Sequence, residues 1–253
     1  MVFKNKVVII TGASSGIGAA CAVVFAKSSA KLVLVGRNFD NLTKTANMCK
    51  KFGLHPFVLV ADVNIEDDLK KIVDETVQHF GRIDVLVNNA GFTILKEIKD
   101  GVDAFDSVMR TNLRAPYLLT SLALPYLIKT KGNVVNISSI LAYRPLATMT
   151  AYCMSKAALD MFTKCAAIEF GPHGVRVNSV NPGPVKTQIF KSAGLNEEAV
   201  EMFFSNMEQS APLQKVAYGE DVAEVVLFLA SDKASCVTGS CYQIDCGLSI
   251  KQT

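Results

Sequence analysis

The sequence predicts an α/β domain built around a parallel sheet of about seven strands. Short apolar runs alternate with stretches of helical pattern along the chain, which is typical of βαβ units joined by right-handed crossovers. We predict strands at residues 6–10, 31–35, 56–61, 83–87, 133–137, 175–180 and 241–245. No repeat, low-complexity run or flexible linker interrupts the sequence, so we expect one domain over residues 1–253.

Composition narrows the class of protein. Half of the residues are hydrophobic and the net charge of +3 is spread along the chain without a basic block, so nucleic-acid binding has little support. No stretch approaches the roughly 18–20 apolar residues that span a bilayer, and the apolar run near the amino end is too short for a signal-peptide core. The seven cysteines, an odd number, indicate free thiols in a reducing compartment, and we expect a cytoplasmic protein.

No metal site is predicted. The histidines His55, His79 and His173 lie far apart in the sequence, and the cysteines lack the paired spacing of zinc ligands. We expect most of the cysteines to be small buried apolar residues.

The first predicted strand leads into a glycine-rich turn, Thr11–Gly18, followed by small apolar residues of helical pattern. Such a turn lets backbone N–H groups approach a pyrophosphate, and the helix that follows presents the positive end of its dipole. A purely structural turn is the alternative. The order strand, turn and helix favours phosphate binding by Gly12, Ser14, Ser15, Gly16, Ile17 and Gly18.

Tyr152 and Lys156 are four residues apart, which places a phenol and an ammonium group on one helix face. A free tyrosine has a pKa of roughly 10, and we expect the lysine charge to lower it towards the working range. Ser139, 13 residues before the tyrosine, offers a hydroxyl that can hold a carbonyl or alcohol oxygen. The three side chains together are suited to proton exchange with a substrate oxygen.

These residues resemble the short-chain dehydrogenase/reductase family nearly end to end. Further matches are the segments Asn88–Gly91, Asn136–Ser139 and Asn181–Gly183, together with Asn112 at the place of the catalytic asparagine. The resemblance implies a Rossmann-like doubly wound sheet with helices on both faces and strand order 3-2-1-4-5-6-7. Cys246 departs from the family, many members of which have glycine there.

The resemblance also implies the chemistry. Hydride passes between the nicotinamide and a substrate carbonyl carbon, Tyr152 exchanges the proton, Lys156 holds the nicotinamide ribose, and Ser139 orients the substrate oxygen. Asn112 is implied to position a water that links Lys156 to solvent. The implied cofactor contacts beyond the glycine-rich turn are Asn89, Ala90, Gly91, Tyr152, Lys156, Pro182, Gly183, Val185 and Thr187.

The end of the second strand decides the cofactor. The position at which NAD enzymes of this fold carry an acidic residue is Gly36, and Arg37 follows it. A guanidinium can bind a 2′-phosphate, so we expect NADP(H), with Arg37 and Asn38 near that phosphate. A surface arginine is the alternative. The pair Asp62 and Val63 resembles the family's adenine contacts.

The substrate is expected to be a small lipophilic carbonyl or alcohol, such as a steroid or terpenoid. By resemblance, residues 184–212 form a lid, and this segment carries the apolar side chains Ile189, Phe190, Met202, Phe203, Phe204 and Met207. Arg144 is either an anion contact or a solvated loop residue. The alternatives are a 3-oxoacyl-thioester reductase, a catalytically silent NADP-binding protein and a structural partner of a larger complex.

The last expectation concerns assembly. Residues 105–128 and 151–170 carry apolar side chains around more than one helix face, so one side must be covered by something other than the chain's own sheet. The family resemblance implies a homotetramer, with a homodimer as the alternative.

Overall fold

A computed structural model describes residues 3–53, 55–187 and 196–250. Its main sheet is parallel, with strands in the order β3 (Phe57–Val60), β2 (Lys31–Gly36), β1 (Val7–Thr11), β4 (Val85–Asn88), β5 (Asn133–Ile137), β6 (Arg176–Pro182) and β9 (Cys241–Ile244). Strand β9 is the seventh strand of this sheet along the chain. This order is the one that the family resemblance implies.

Helices cover both faces of the sheet, which confirms the doubly wound architecture. The α-helices are α1 (Gly16–Lys27), α2 (Phe39–Lys50), α3 (Glu66–Phe80), α4 (Asp103–Met109), α5 (Ala115–Thr130), α6 (Thr150–Phe170), α7 (Glu197–Ser210) and α8 (Gly219–Ala230). On one face α1, α2 and α8 bury their apolar side chains, and on the other α3, α5 and α6 do so.

The central strand shows how the sequence builds two cores. Alternate side chains of a strand point to opposite faces. Val8 and Ile10 therefore join the core beneath α1, while Val7 and Ile9 join the core beneath α3 and α5. All four are fully buried, which explains why β1 is continuously apolar, as parallel strands covered on both sides are.

The seven predicted strands are present, and their ends differ from the prediction by at most two residues. The prediction missed a separate two-stranded sheet of β7 (Val185–Lys186) and β8 (Ala217–Tyr218). It also missed a π-helical turn at Arg110–Arg114, between α4 and α5. Two-residue strands and a single wide turn leave no periodicity to detect.

The cysteines are all free, as expected, but most of them are not buried. Cys21 and Cys49 lie in the core, Cys165 and Cys236 are exposed, and the other three are half-buried. The expectation of buried cysteines is therefore wrong for most of them.

Cys246, just after β9, has a φ of +56°. Glycine adopts this left-handed backbone freely, whereas in other residues the Cβ atom makes it energetically unfavourable. The family's preference for glycine here thus has a backbone reason. Among the described residues, no helix is both long and apolar enough to cross a membrane.

Candidate active site

The first turns of α6 bring the predicted tyrosine and lysine together. The Lys156 ammonium lies 5.6 Å from the centre of the Tyr152 ring. Lys156 is buried, and its Nζ donates a hydrogen bond of 2.7 Å to the Ile137 carbonyl oxygen at the end of β5. Helix α6 is therefore fixed against the carboxyl edge of the sheet at the residue that carries the charge.

Ser139 follows β5, and its side chain lies beside Tyr152. It caps a short 3-10 turn, in which its Oγ accepts a hydrogen bond of 3.1 Å from the Leu141 N–H. A second hydrogen bond joins its side chain to that of Tyr152. The serine and tyrosine hydroxyls are thus adjacent, which is the arrangement needed to hold one substrate oxygen between them.

The ionisation of the pair differs from our expectation. Burial raises the pKa of Tyr152 to about 12, and the hydrogen bond from Ser139 offsets only part of this effect. Burial also lowers the pKa of Lys156 to about 8. In the protein alone, desolvation of the phenolate is therefore the dominant influence on this pKa. Tyr152 is therefore a neutral phenol near pH 7 and can act as a proton donor.

Asn112 lies in the π-helical turn and is fully buried. Its side chain forms two hydrogen bonds with the Phe92 backbone, accepting from N at 3.1 Å and donating to O at 2.9 Å. Its Nδ2 also donates to Ser155 Oγ at 3.1 Å, and that hydroxyl donates to the Tyr152 carbonyl oxygen. A wide turn is a common device at functional sites, and here it joins Asn112 to α6.

Gly91 separates Asn112 from Lys156. A Cβ at this position would lie 3.2 Å from Asn112 Oδ1 and 3.5 Å from Lys156 Nζ. Both polar atoms therefore border one small space beside an exposed glycine. The structure brings together Asn112, Ser139, Tyr152 and Lys156.

The glycine-rich turn forms a cradle between β1 and α1. A side chain at Gly18 would collide with the Gly12 carbonyl oxygen, and one at Gly12 would meet Asn89. Ser15 begins α1 without a side-chain cap, so the first N–H groups of the helix remain available to an anion. These features fit the pyrophosphate of a dinucleotide. Ser14, Gly16 and Ile17 complete the turn.

Asn89 and Ala90 hold this turn in place. The Asn89 amide donates to the carbonyl oxygens of Thr11 at 2.9 Å and Gly12 at 3.1 Å. The backbone N–H groups of Asn89 and Ala90 both donate to Thr11 Oγ1. Asn88 instead bridges to Thr120 and Asn136, inside the fold. The segment after β4 thus shapes the cradle with its own polar groups.

The end of β2 adjoins the same cradle. A Cβ at Gly36 would lie 3.6 Å from the Ser14 Cβ. The Arg37 side chain is 76% exposed, and its Nη1 lies 3.9 Å from Asp62 Oδ2, a loose ion pair. Asn38 caps α2 by accepting from the Asn41 N–H, which leaves its amide N–H groups for other partners. Asp62 also binds Asn64, and Val63 packs on the core.

The segment after β6 closes the cleft from the other side. Gly183 lies so close to Asp245 that a Cβ would be 2.9 Å from the aspartate Cβ. Val185 is buried, and a Cβ at Gly16 would lie 3.3 Å from the Thr187 side chain, so this segment reaches the glycine-rich turn. Pro182 ends β6 beside them.

The proposed lid is described only in part, and Ile189 and Phe190 lie outside the described residues. In α7, Phe204 is buried with Val200 and Val216, Phe203 and Met207 pack on that cluster, and Met202 is exposed. Phe203, Phe204 and Met207 therefore chiefly belong to a small apolar cluster that packs α7 against Val216. An ion pair of 2.6 Å between Lys186 and Glu208 joins α7 to β7.

Arg144 is not simply a solvated loop residue. Its Nη1 donates to the Leu248 carbonyl oxygen, so it attaches the loop after β5 to the C-terminal turn. Sequence reasoning also missed Asp160, a buried carboxylate one turn beyond Lys156 on α6. The sequence shows an aspartate at helical spacing from the lysine. Its burial could not be predicted, because it depends on packing against β6.

Sequence comparisons with known proteins point to the same family as the motifs of this site. Residues 12–249 match the family described as "Enoyl-(Acyl carrier protein) reductase". The chain is 38% identical to a Thermotoga maritima 3-oxoacyl-[acyl-carrier-protein] reductase FabG, with 99% of this chain and 100% of that protein covered. It is 36% identical to the L-xylulose reductase of Caenorhabditis elegans, with 98% and 97% covered.

This chain also resembles a solved structure in both fold and sequence. The crystal structure of a C. elegans short-chain dehydrogenase/reductase of unknown function, with cofactor, superposes with a TM-score of 0.96 at 35% identity, covering 100% of this chain and 98% of that one. Motifs, sheet order and relatives all agree, so this chain belongs to the short-chain dehydrogenase/reductase family, whose oxidoreductases use a nicotinamide cofactor.

Proposed function

We propose that this protein is an NADP(H)-dependent reductase of lipophilic ketones or aldehydes, such as steroid- or terpenoid-like carbonyls. The observation that carries the proposal is the convergence of Asn112, Ser139, Tyr152 and Lys156 beside a dinucleotide cradle. When bound, NADPH supplies the hydride. The chain's own residues must then hold the carbonyl oxygen and provide a proton.

Tyr152 and Ser139 divide that work. The hydrogen-bonded hydroxyls of both residues bind the carbonyl oxygen, and Tyr152 gives its proton as negative charge develops there. Its raised pKa suits this donor role, because the phenol remains protonated near neutral pH. Lys156, charged below its pKa of about 8, stabilises the phenolate that remains. Asn112 holds the water through which the proton is replaced.

The preference for NADP(H) rests on the end of β2. Gly36 offers no carboxylate to a ribose, and the mostly exposed guanidinium of Arg37 has only a loose partner in Asp62. A 2′-phosphate would give this cation a charge-assisted bond. Arg37 and Asn38 are accordingly the proposed phosphate contacts, with Asp62 and Val63 on the adenine.

The lipophilic substrate class is supported by apolar side chains on two joined loops. The Lys96 N–H donates to the Thr148 carbonyl oxygen, which ties the loop after Gly91 to the loop before α6. Leu95 and Leu146 are exposed on these loops. Exposed apolar side chains in two adjacent loops near the catalytic residues suit a lipophilic ligand.

Reduction of a 3-oxoacyl thioester is a second candidate, which the name of the Thermotoga relative favours. An activity screen separates the two. Steroid, retinoid, prenyl and 3-oxoacyl carbonyls are each offered with NADPH and with NADH. Selective turnover of a lipophilic ketone with NADPH supports the first function, and selective turnover of 3-oxoacyl thioesters supports the second. Tight NADPH binding without turnover of any carbonyl would favour a catalytically silent protein.

We further propose that the protein assembles as a homotetramer, or as a homodimer, through α5 and α6. Exposed apolar side chains lie along α6, and the Tyr117 ring of α5 contacts that of Phe162 on α6. A cytoplasmic location remains a prediction, which rests on the free cysteines.

A further inference from the structure

A buried polar chain connects α6 with the loop that carries Ser139. The Asp160 carboxylate accepts a hydrogen bond of 2.6 Å from Asn181 Nδ2 and one of 3.0 Å from Ser179 Oγ. Asn181 Nδ2 also donates to the Ser139 carbonyl oxygen at 3.1 Å. Asp160 is 8% exposed, and Ser179 and Asn181 are fully buried.

A carboxylate in such a place needs compensation, because burying a charge is costly unless it is paired and hydrogen-bonded. Asp160 and Lys156 are one helical turn apart, a spacing at which side chains are neighbours. The charge of Asp160 acts on Lys156 by favouring the ammonium form, against the desolvation that lowers the lysine pKa.

Other ionisable groups also face this carboxylate. Cys241, on β9, forms a hydrogen bond with Asp160, and its pKa is raised chiefly by burial. The pKa of the Tyr143 phenol, after β5, is raised chiefly by burial. The negative charges of Asp245 and Asp160 raise it further. Lys164, the next turn of α6, acts on the Cys241 thiol.

We propose that Asp160 is a positioning residue of the active site, which orients Ser139 through Asn181 and keeps Lys156 charged. In this role it acts through Asn181 and Lys156, and we assign it no contact with cofactor or substrate. The inference rests on the proposed function, which gives Ser139 and Lys156 their roles. It adds that both roles depend on one buried carboxylate.

The alternative is a structural tie between α6 and β6 with no effect on the site. Thr163 provides the matched control, because it lies on the same helix, is fully buried and accepts a hydrogen bond of 2.8 Å from Asn136. Thr163→Val therefore removes this bond, and the one that Thr163 Oγ1 donates to the Leu159 carbonyl oxygen, without touching the chain to Ser139.

Two readouts need neither cofactor nor turnover. The first is the pKa of Lys156, followed by NMR in protein with 13C-labelled lysine and assigned with Lys156→Arg. Asp160→Asn should lower this pKa by roughly one pH unit, since an opposite charge is lost nearby, whereas Asn181→Ala and Thr163→Val should leave it unchanged. The second is hydrogen exchange at the Leu141 amide, whose bond to Ser139 Oγ reports the serine's position. Asn181→Ala should speed this exchange.

Turnover completes the test, with 9,10-phenanthrenequinone and NADPH as the probe pair. Asn181→Ala should lower kcat on the order of ten-fold or more, because small misplacements of reacting groups are expensive. Asp160→Asn should in addition move the alkaline loss of activity to lower pH, since a lysine with a lower pKa loses its charge sooner.

An unchanged Lys156 pKa in Asp160→Asn, or unchanged Leu141 exchange and kcat in Asn181→Ala, would overturn the proposal. If Asp160→Asn does not fold, Asn181→Ala still tests whether Ser139 is oriented through Asn181. If the wild-type protein reduces no carbonyl, the proposed function fails, while the lysine titration and the amide exchange still decide the role of Asp160.

Discussion

At the scale of single residues, the site depends on one phenol. Tyr152 is hydrogen-bonded to Ser139 and carries a pKa of about 12, so it holds the proton that reduction consumes. Tyr152→Phe removes that proton with little change of shape. We expect cofactor binding to persist and kcat to fall by a factor on the order of 10² or more. Steady-state kinetics and NADPH fluorescence measure the two effects, and turnover within a few-fold of wild type would remove Tyr152 from the mechanism.

Arg37 allows a residue-scale test of the cofactor. Its cation is mostly exposed and only loosely paired with Asp62, so it is free to bind a phosphate. Losing a charge-assisted contact of roughly 1.5–3 kcal/mol should weaken NADPH binding about 10- to 150-fold in Arg37→Ala. NADH, which has no 2′-phosphate, should bind almost as before.

Arg37→Lys is the control, because it keeps the charge but loses the planar fork of donors. Its loss of NADPH affinity should be smaller than that of Arg37→Ala. Titration of both cofactors by fluorescence gives the dissociation constants. An equal loss for NADPH and NADH would mean that Arg37 supports the fold rather than the phosphate.

At the scale of elements, the turn after β9 carries a cost that the chain could avoid. Cys246 has a φ of +56°, a conformation that costs an L-residue about 1–2 kcal/mol. Part of the gain from glycine is lost to the greater freedom of the unfolded chain. We therefore expect Cys246→Gly to raise the free energy of unfolding by about 0.5–1 kcal/mol.

Cys246→Ala separates the backbone from the thiol, because alanine retains the Cβ that causes the strain. It should give no such gain. Chemical denaturation of the three proteins measures the difference. If glycine and alanine shift the unfolding midpoint equally, the effect comes from the thiol and not from φ.

Some elements of the fold can be predicted from the sequence and others cannot. Strands such as β1 and β5 were predictable because a parallel strand covered on both faces is apolar throughout. The strand order, and the roles proposed for Asn112 and Ser139, followed from family motifs. The π-helical turn around Asn112 and the burial of Asp160 were not predictable, because both arise from contacts with residues distant in sequence. The expected lowering of the Tyr152 pKa is wrong for the same reason, since desolvation depends on the packed fold.

At the scale of the whole molecule, one helix face has no partner within the described chain. Met154, Met161 and Ile168 of α6 are spaced by seven residues, so they form one stripe along the helix. All three are exposed, Met161 by 58% and Ile168 by 79%. Apolar stripes of this kind mark association surfaces, and a two-fold axis would set the stripe of one subunit against its copy in another.

We therefore expect light scattering at micromolar concentration to give the mass of four chains of 27.3 kDa, or of two. Met161→Glu would bring like charges together across the two-fold axis and should lower the mass. Met202→Glu is the matched control, because Met202 of α7 is 61% exposed but lies outside the stripe, and it should leave the mass unchanged. A wild-type mass near one chain would refute the oligomer. Equal dissociation by both variants would show that the interface is not the α6 stripe.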